Sequence, residues 1–301
     1  MGFVELVSGL AKRHLDEDGM ARLRARYLRA KDLGAPLIRA VRGTFGPEQL
    51  MAHLRERIGE DYEILFVHSS LNGLQPMYTG DALGLVRALI ALAGPRRTLA
   101  MPAFYFGDPA IGGAKATFER NPRFDLRRTP SQMGLPSELF RRSRGVLQSR
   151  NPIYRVAGLG PLAEELVRGH EHSDTLCGRG TPFDVMAARS TIVLGIGKPS
   201  DVLTQVHHAE DVLGDRFPVP HGQGAPLPMT LVDGDAETSY ALPMRGTRWR
   251  RDDFGARRLM TRETLREWSF HGAPMFAARA ADVSRAVFEG AARGETIYLK
   301  P

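Results

Sequence analysis

The chain has 301 residues, of which 43% are hydrophobic, so it is long enough to bury a sizeable core in one large domain with a small appendage. Its single cysteine, Cys177, excludes an internal disulfide framework; without a signal peptide or an apolar run near the roughly 18 residues of a membrane span, we expect a cytoplasmic protein. The net charge of +7 favours anionic partners in general without selecting one.

The first 45 residues combine apolar residues at helical spacing with many arginines. Leu15, Met20, Leu23, Tyr27 and Leu28 carry this pattern. It predicts an amphipathic helix that docks on the main domain, and a helix that binds a membrane surface or a partner is the alternative. We therefore divide the chain into a helical N-terminal extension, residues 1–45, and a main domain, residues 46–301.

From Pro47 onwards, short apolar runs alternate with amphipathic segments, as in βαβ units. The stretch 102–130 is rich in aromatic residues but has little periodicity, so we expect a long loop that lines a site. The order predicts an α/β layered domain around a mixed sheet. The elements are helices at 49–58, 81–93, 135–142, 161–169, 182–188 and 280–292, strands at 63–67, 98–101, 191–195 and 296–299, and a hairpin of 229–232 with 238–242.

The segment from Leu203 to Glu210 carries the first candidate for chemistry. On a helix, His207 and Glu210 share a face, so the carboxylate can accept a hydrogen bond from the imidazole and raise its basicity. Histidine is well suited to remove a proton near neutral pH, which makes the pair a candidate general base. An ion pair on a helix surface is the structural alternative.

A metal site is a competing interpretation of the same segment. Several further histidines are available, but no second paired motif completes a ligand set, so we expect no metal. His170 and His172 fall in a polar loop, where solvent exposure is the simplest expectation. The other two histidines in question are His208 and His221.

Small polar residues follow the predicted strand at 63–67. The turn from His68 through Ser69, Ser70 and Leu71 to Gly73 lies where α/β proteins place ligands, and its backbone N–H groups suit phosphate or thioester oxygens. A plain turn with a helix cap explains the same residues. A serine nucleophile paired with His207 is disfavoured because no G-x-S-x-G turn is present.

A third motif runs from Arg127 to Gly134, before a predicted helix. Thr129 or Ser131 can cap that helix, and Arg127 and Arg128 can contact phosphates. A cap without a ligand is the alternative.

Taken together, the motifs and their order resemble the aminoglycoside 3-N-acetyltransferase (antibiotic N-acetyltransferase) family over residues 60–213. The resemblance implies transfer of an acetyl group from acetyl-CoA to an amine without a covalent enzyme intermediate, in a three-layer α/β/α sandwich around a mixed sheet. The motifs are His-Ser-Ser-Leu at 68–71, Met101-Pro102, Thr129-Pro130-Ser131, Met133-Gly134, Gly145-Val146, Ser149, Gly158-Leu159-Gly160, Gly169-His170, Gly180-Thr181-Pro182-Phe183, Val193-Leu194-Gly195 and Thr204-x-x-His207-x-x-Glu210.

The same resemblance implies roles for individual residues. His207 would be the base that activates the acceptor amine, and Glu210 would orient it. Ser69, Ser70 and Leu71 would line the coenzyme A site, with Thr129 and Ser131 near it. We also expect backbone amides of the 69–71 turn to stabilise the oxyanion that forms when the thioester is attacked.

The chain departs from the family pattern in one stretch near the active centre of its relatives. Where the family reads Arg-Ser-x-His-Pro-x-x-Ser, this chain has Asn151 in place of the histidine and Arg155 in place of the last serine. We assign Asn151, Arg155 and His68 to acceptor binding. Arg150, Arg155 and the net charge of +7 favour an anionic acceptor over a polycationic aminoglycoside.

The N-terminal extension and the ending Glu295-Thr296-Ile297-Tyr298 resemble family members associated with surface-polysaccharide or amino-sugar biosynthesis. This resemblance implies an amino sugar, free or nucleotide-linked, as the favoured acceptor. An aminoglycoside antibiotic is the second choice, with antibiotic resistance as its consequence. A non-catalytic or metal-dependent relative that binds an anionic ligand or partner is the rival class. Nucleic-acid binding is not expected, because no recognised motif is present. A homodimer is left open as an alternative to a monomer.

Overall fold

A seven-stranded mixed sheet forms the centre of the computed structural model, which describes residues 17–220, 222–247, 249–252 and 255–300. The strands are β1 Ile64–Ser69, β2 Thr98–Pro102, β3 Arg123–Asp125, β4 Leu147–Gln148, β5 Val156–Leu159, β6 Thr191–Ile196, β7 Gly222–Asp233, β8 Ala236–Gly246, β9 Arg250–Arg251, β10 Leu265–Phe270, β11 Ala273–Arg279 and β12 Tyr298–Leu299. The central sheet has the order β10-β11-β6-β1-β2-β5-β4.

Helices cover both faces of this sheet. They are α1 Glu17–Leu33, α2 Ala35–Arg42, α3 Pro47–Ile58, α4 Leu71–Leu74, α5 Ala82–Ala93, α6 Gly113–Arg120, α7 Leu135–Arg141, α8 Ala163–Val167, α9 Pro182–Ala188, α10 Val206–Leu213, α11 Gly255–Leu259 and α12 Ala280–Ala292. Short 3-10 turns lie at Pro109–Ile111, His170–His172, Ser200–Val202 and Gly214–Arg216.

Alternation along the strands produces two separate hydrophobic cores. On β1, Leu65 and Val67 point to one face and pack with α3, α5 and α7, while Ile64 and Phe66 point to the other and pack with α9, α10 and α12. All six residues of β1 are buried, as expected for a strand covered on both faces. The predicted three-layer α/β/α sandwich around a mixed sheet is confirmed.

The three parallel strands meet at one edge that matters for function. β1 pairs in parallel with β2 on one side and with β6 on the other, so the chain connections diverge at its carboxyl end. Such a divergence opens a crevice where α/β proteins bind ligands. The predicted ligand turn at 68–73 lies at this point.

Several elements differ from the sequence-based expectation. The strands β5, β10 and β11 were not predicted. β5 is short and contains Gly158, and β11 is rich in alanine and contains Pro274, so β5 and β11 show no clear strand pattern. The predicted loop 102–130 contains α6 and β3. β3 pairs with β7, and the predicted hairpin β7–β8 forms a separate three-stranded sheet with it.

The described part of the N-terminal extension is helical and contacts the main domain. Ile38 packs against the first core, Arg39 Nε donates to the carbonyl oxygen of Pro76 at 2.8 Å, and Phe45 is buried. Leu15 lies outside the described residues, and the boundary at residue 45 stays a prediction. Within the described ranges, no helix combines the length and apolar character needed to cross a lipid bilayer.

Candidate active site

His207 and Glu210 lie side by side near the start of α10. The distance from His207 Nδ1 to Glu210 Oε2 is 2.7 Å, and the two side chains are 18% and 5% exposed. The H-x-x-E spacing produces this contact because residues three apart share a helix face. In this contact Nδ1 donates to the carboxylate, which leaves Nε2 as the ring nitrogen available to other groups. Nε2 forms no hydrogen bond with the described residues.

Tyr298 completes this arrangement from the far end of the chain. Its hydroxyl donates to Glu210 Oε2 at 3.0 Å. Burial, reinforced by the Glu210 carboxylate, raises the pKa of Tyr298, so the hydroxyl stays protonated and remains a donor. Glu210 Oε2 therefore accepts from both His207 and Tyr298, which fixes the carboxylate and, through it, the imidazole.

Tyr154 packs against the exposed side of this pair. Its ring centroid lies 6.1 Å from that of His207 and 5.7 Å from that of Phe106. Burial raises the pKa of Tyr154, so its hydroxyl is neutral. The aromatic wall excludes water from one side of the base.

A cavity of about 370 Å³ opens at the carboxyl ends of β1, β2 and β6. Ser69, Ser70 and Leu71 line it, and their contact with coenzyme A stays a prediction. Ser70 Oγ also accepts from the N–H of Gly73 at 3.1 Å and so caps α4. The other lining residues are His68, Asn72, Pro102, Gln132, Met133, Gly134, Leu135, Pro136, Lys198 and Val202.

His68 lies in the wall of this cavity and is 5% exposed. Burial, with the nearby charges of Lys198 and Arg251, lowers the pKa of His68 to about 3, so the imidazole is neutral near pH 7. Its Nε2 atom is buried without a hydrogen-bond partner in the described structure. His68 is therefore suited to exchange a hydrogen bond with a ligand, and poorly suited to act as a base.

Contacts connect the His207–Glu210 pair to the cavity. Phe106, which touches Tyr154, donates its backbone N–H to Gln132 Oε1 at 2.7 Å, and Gln132 lines the cavity. A chain of contacts through Tyr154, Phe106 and Gln132 therefore links the base to the cavity wall.

Thr129 and Ser131 lie behind the cavity lining. Ser131 Oγ accepts from the N–H of Met133 at 3.1 Å, and its own N–H donates to Glu138 Oε2 at 2.7 Å. The carbonyl oxygen of Thr129 accepts from Arg155. Both residues shape the segment that enters the cavity wall, and their contact with coenzyme A stays a prediction.

Asn151 and Arg155 lie inside the protein, in contrast to the expectation that they present side chains to an acceptor. Asn151 Nδ2 donates to the Tyr240 hydroxyl at 2.9 Å, and its Oδ1 accepts from the N–H groups of Ile153 and Tyr154. Arg155 is fully buried, and burial lowers its pKa to about 9. Its charge is directed at backbone carbonyl oxygens, so it does not argue for an anionic acceptor.

The remaining histidines have structural surroundings. His170 is fully buried, which corrects the expectation of an exposed loop residue, whereas the His172 side chain is 80% exposed. His208 is buried between Ser284 Oγ at 2.9 Å and Asp184 Oδ1 at 3.1 Å. His221 lies outside the described residues. In the described part of the chain, no three metal-binding side chains converge.

A second cavity, of about 630 Å³, lies beside β10 and β11. Its wall holds no histidine or cysteine, and its carboxylate, Glu267, is paired with Arg257 at 2.8 Å. Although this cavity is the larger of the two, its described wall offers no unpaired base.

Sequence reasoning missed four residues of the site. Tyr154 stood within the divergent stretch, but its ring contacts depend on the tertiary fold. Lys198, Arg251 and Tyr298 carry no local signal, because each is positioned by strand pairing or by a turn after a strand.

Comparisons with known proteins give a family match. The family model for aminoglycoside 3-N-acetyltransferase matches residues 66–289, about three quarters of the chain. Aminoglycoside N(3)-acetyltransferase III of Serratia marcescens is 28% identical over 188 residues, 60% of this chain and 68% of that protein. Aminoglycoside N(3)-acetyltransferase IX of Micromonospora chalcea is 30% identical over 170 residues, 52% of this chain and 60% of that protein.

A solved structure described as AAC-IIIb binary with CoASH has the same fold. It superposes with a TM-score of 0.65 at 20% identity and covers 82% of this chain and 96% of its own. The chain spans 60% to 68% of the length of the two curated relatives.

Proposed function

Because the chain belongs to the aminoglycoside 3-N-acetyltransferase family, a family of acyltransferases, we propose that it transfers an acetyl group from acetyl-CoA to an amino group of a sugar-like acceptor. The observation that carries this proposal is the His207 imidazole, whose Nδ1 is held by Glu210 and whose Nε2 forms no hydrogen bond with the described residues. A helix-surface ion pair would not need a third partner, and here the partly buried Tyr298 supplies one.

The donor is assigned to the cavity at the carboxyl ends of the parallel strands. A relative of the same fold is described with CoASH bound. The Ser69–Leu71 turn would face the thioester, and the Lys198 ammonium group, also in the cavity wall, would attract the phosphates of the coenzyme.

In the proposed step, the neutral acceptor amine attacks the thioester carbonyl carbon. The new N–C bond forms as the carbonyl π electrons move to oxygen. His207 Nε2 takes one proton from the amine nitrogen. The oxyanion then collapses, the C–S bond breaks, and the proton passes from His207 to the leaving sulfur, so that amide and CoASH are the products.

The oxyanion needs donors in the cavity wall. The N–H of Ser70 is already bonded to the carbonyl oxygen of Ile196 at 2.9 Å, so it is not available. The N–H of Leu71, at the start of α4, the hydroxyl of Ser69 and the neutral imidazole of His68 are candidates among the described residues.

An amino sugar, free or nucleotide-linked, is the preferred acceptor. The net charge of +7 supports it, because a polycation would meet a repulsive field. An aminoglycoside is the second candidate, since the curated relatives carry aminoglycoside acetyltransferase names.

The first prediction tests the base. With acetyl-CoA and a panel of glucosamine 6-phosphate, UDP-glucosamine and kanamycin, His207→Gln should lower kcat by roughly 10²–10³-fold, because proton removal is lost. Glu210→Gln should lower it less, since the imidazole keeps its place but loses its charged partner. Acetyl-CoA binding, followed by calorimetry, should not change.

His172→Gln is the matched control, because that side chain is exposed and away from the pair. Full activity in His207→Gln would overturn the role of the base. A wild-type protein that binds acetyl-CoA and acetylates none of these acceptors would contradict the transferase proposal and favour the non-catalytic class.

A further inference from the structure

Arg251 lies beside the active-site tyrosine through strand pairing. β9 and β12 run antiparallel, with Arg251 opposite Tyr298 and Arg250 opposite Leu299. Side chains of directly opposed residues lie on the same face, and neighbours along a strand point to opposite faces. Arg251 is therefore on the face of Tyr298, whose hydroxyl reaches Glu210, and Arg250 is on the other face.

The positive charge of Arg251 acts on three side chains of the site. Burial dominates the pKa shifts of His68, Tyr154 and Tyr298, and the charge of Arg251 lowers the pKa of each. His68 lines the cavity, Tyr154 packs against His207, and Tyr298 bonds to Glu210. The strand register places Arg251 on the face of Tyr298, so its charge lies on the side of these three residues.

Arg251 is half-buried, yet it forms no ion pair with any described residue. Two carboxylates of α10 are engaged with other residues: Glu210 accepts from His207 and Tyr298, and Asp211 accepts from the N–H of Cys177 at 2.8 Å. A partly desolvated cation without a counter-ion is unfavourable unless a ligand supplies one.

We propose that Arg251 binds an anionic group of the acceptor, a phosphate or a carboxylate, and so selects negatively charged amino sugars over polycationic ones. This inference rests on the proposed acetyl transfer for its kinetic test, but not for its binding test. The planar guanidinium matches such groups with two parallel hydrogen bonds. A coenzyme phosphate is the other source of the same chemistry, and the cavity lysine, Lys198, is better placed for it.

The second prediction compares two acceptors that differ by one phosphate, glucosamine 6-phosphate and glucosamine. Arg251→Gln should raise the KM for glucosamine 6-phosphate by roughly 10–100-fold and leave the KM for glucosamine within about threefold. The KM for acetyl-CoA should be unchanged. Arg250→Gln is the matched control, because it removes the same charge from the opposite face of the same strand.

Calorimetry on the CoA-saturated protein supplies the binding test. Glucosamine 6-phosphate should bind more tightly than glucosamine to the wild type and to Arg250→Gln, but not to Arg251→Gln. Equal loss for both acceptors, or a rise only in the KM for acetyl-CoA, would overturn the inference. Selective binding without turnover would instead contradict the proposed function, and turnover without charge preference would retain that function and exclude the role of Arg251.

Discussion

His170 is buried at the junction of three segments, and both of its ring nitrogens are used. Ser149 Oγ lies 2.9 Å from Nδ1, and the carbonyl oxygen of Leu176 lies 2.9 Å from Nε2. A carbonyl oxygen can only accept, so Nε2 carries the proton that Leu176 accepts. In a neutral imidazole Nδ1 then accepts from the Ser149 hydroxyl, whose oxygen accepts from the N–H of Val156. The network fits a neutral imidazole, and burial lowers the pKa of His170 to about 4.

The third prediction follows from that pKa. Between pH 6.5 and about 4 the unfolded chain binds a proton at this position and the folded protein does not, so stability falls as the pH falls through this window. From pH 7 to pH 5 the loss should be about 2 kcal/mol from this group. Denaturant unfolding at pH 7 and at pH 5 measures this change. The loss in the free energy of unfolding should be smaller in His170→Gln than in the wild type by about 2 kcal/mol.

His172 provides the comparison within the same short turn. Its side chain is exposed, so His172→Gln should keep the pH dependence of the wild type. An unchanged pH dependence in His170→Gln would contradict the assignment of a neutral buried imidazole.

The sequence predicted those residues of the site whose position depends on neighbours close in the chain, and it missed those positioned by distant parts of the chain. His207 and Glu210 meet because of helical spacing, and Ser69 and Leu71 reach the cavity because they follow a buried strand; both relations are visible in a few consecutive residues. Tyr298 approaches Glu210 across 88 positions of the chain. No local pattern indicates such a contact, and burial of Asn151 and Arg155 is equally a property of the fold.

At the scale of elements, Arg155 joins the two ends of the segment 102–130. Its guanidinium donates to the carbonyl oxygens of Ala103 at 3.2 Å, Leu126 at 2.5 Å and Thr129 at 3.0 Å. It also lies 5.3 Å from the centroid of the Phe124 ring. One side chain thereby holds together the two ends of a segment that was predicted to be a long loop.

The fourth prediction concerns this closure. Arg155→Met keeps most of the aliphatic stem but leaves three backbone carbonyl oxygens, two of them in buried contacts, without the Arg155 donor, so we expect a loss of roughly 3 kcal/mol in the free energy of unfolding. Proteolysis should begin within 103–129. Arg128→Met removes a side chain that is 91% exposed, and should change stability by less than about 0.5 kcal/mol. Equal effects of the two substitutions would contradict the closure.

Elements with a regular apolar pattern were predicted closely, and elements without such a pattern were missed. Helices α9 and α12 match their predicted bounds, because their apolar spacing is regular. β10 and β11 form an antiparallel hairpin at the edge of the sheet, joined by His271 and Gly272, both with positive φ. This turn can be predicted from the sequence only if the two flanking strands are already known. β11 is not evident from the sequence, because its alanines are as compatible with a helix as with a strand.

At the scale of the whole molecule, the only cysteine lies in the second core, next to the site. Cys177 is buried, and burial together with the charges of Asp211 and Glu210 raises the pKa of its thiol. Because the thiolate is the reactive form, the native protein should protect this thiol both sterically and electrostatically. Its exposure therefore requires that the layers around α10 separate.

The fifth prediction uses that property to follow opening of the whole fold. Labelling by a thiol reagent should be slow in the native protein and fast in denaturant, whereas a Cys177→Ser, Asp174→Cys variant, with its thiol at an exposed neighbouring position, should react at once. If acetyl-CoA binds only the folded chain, a concentration about 100 times its Kd should slow labelling by about 100-fold. A rate that does not respond to acetyl-CoA would mean that Cys177 is reached by a local opening that leaves the donor cavity intact.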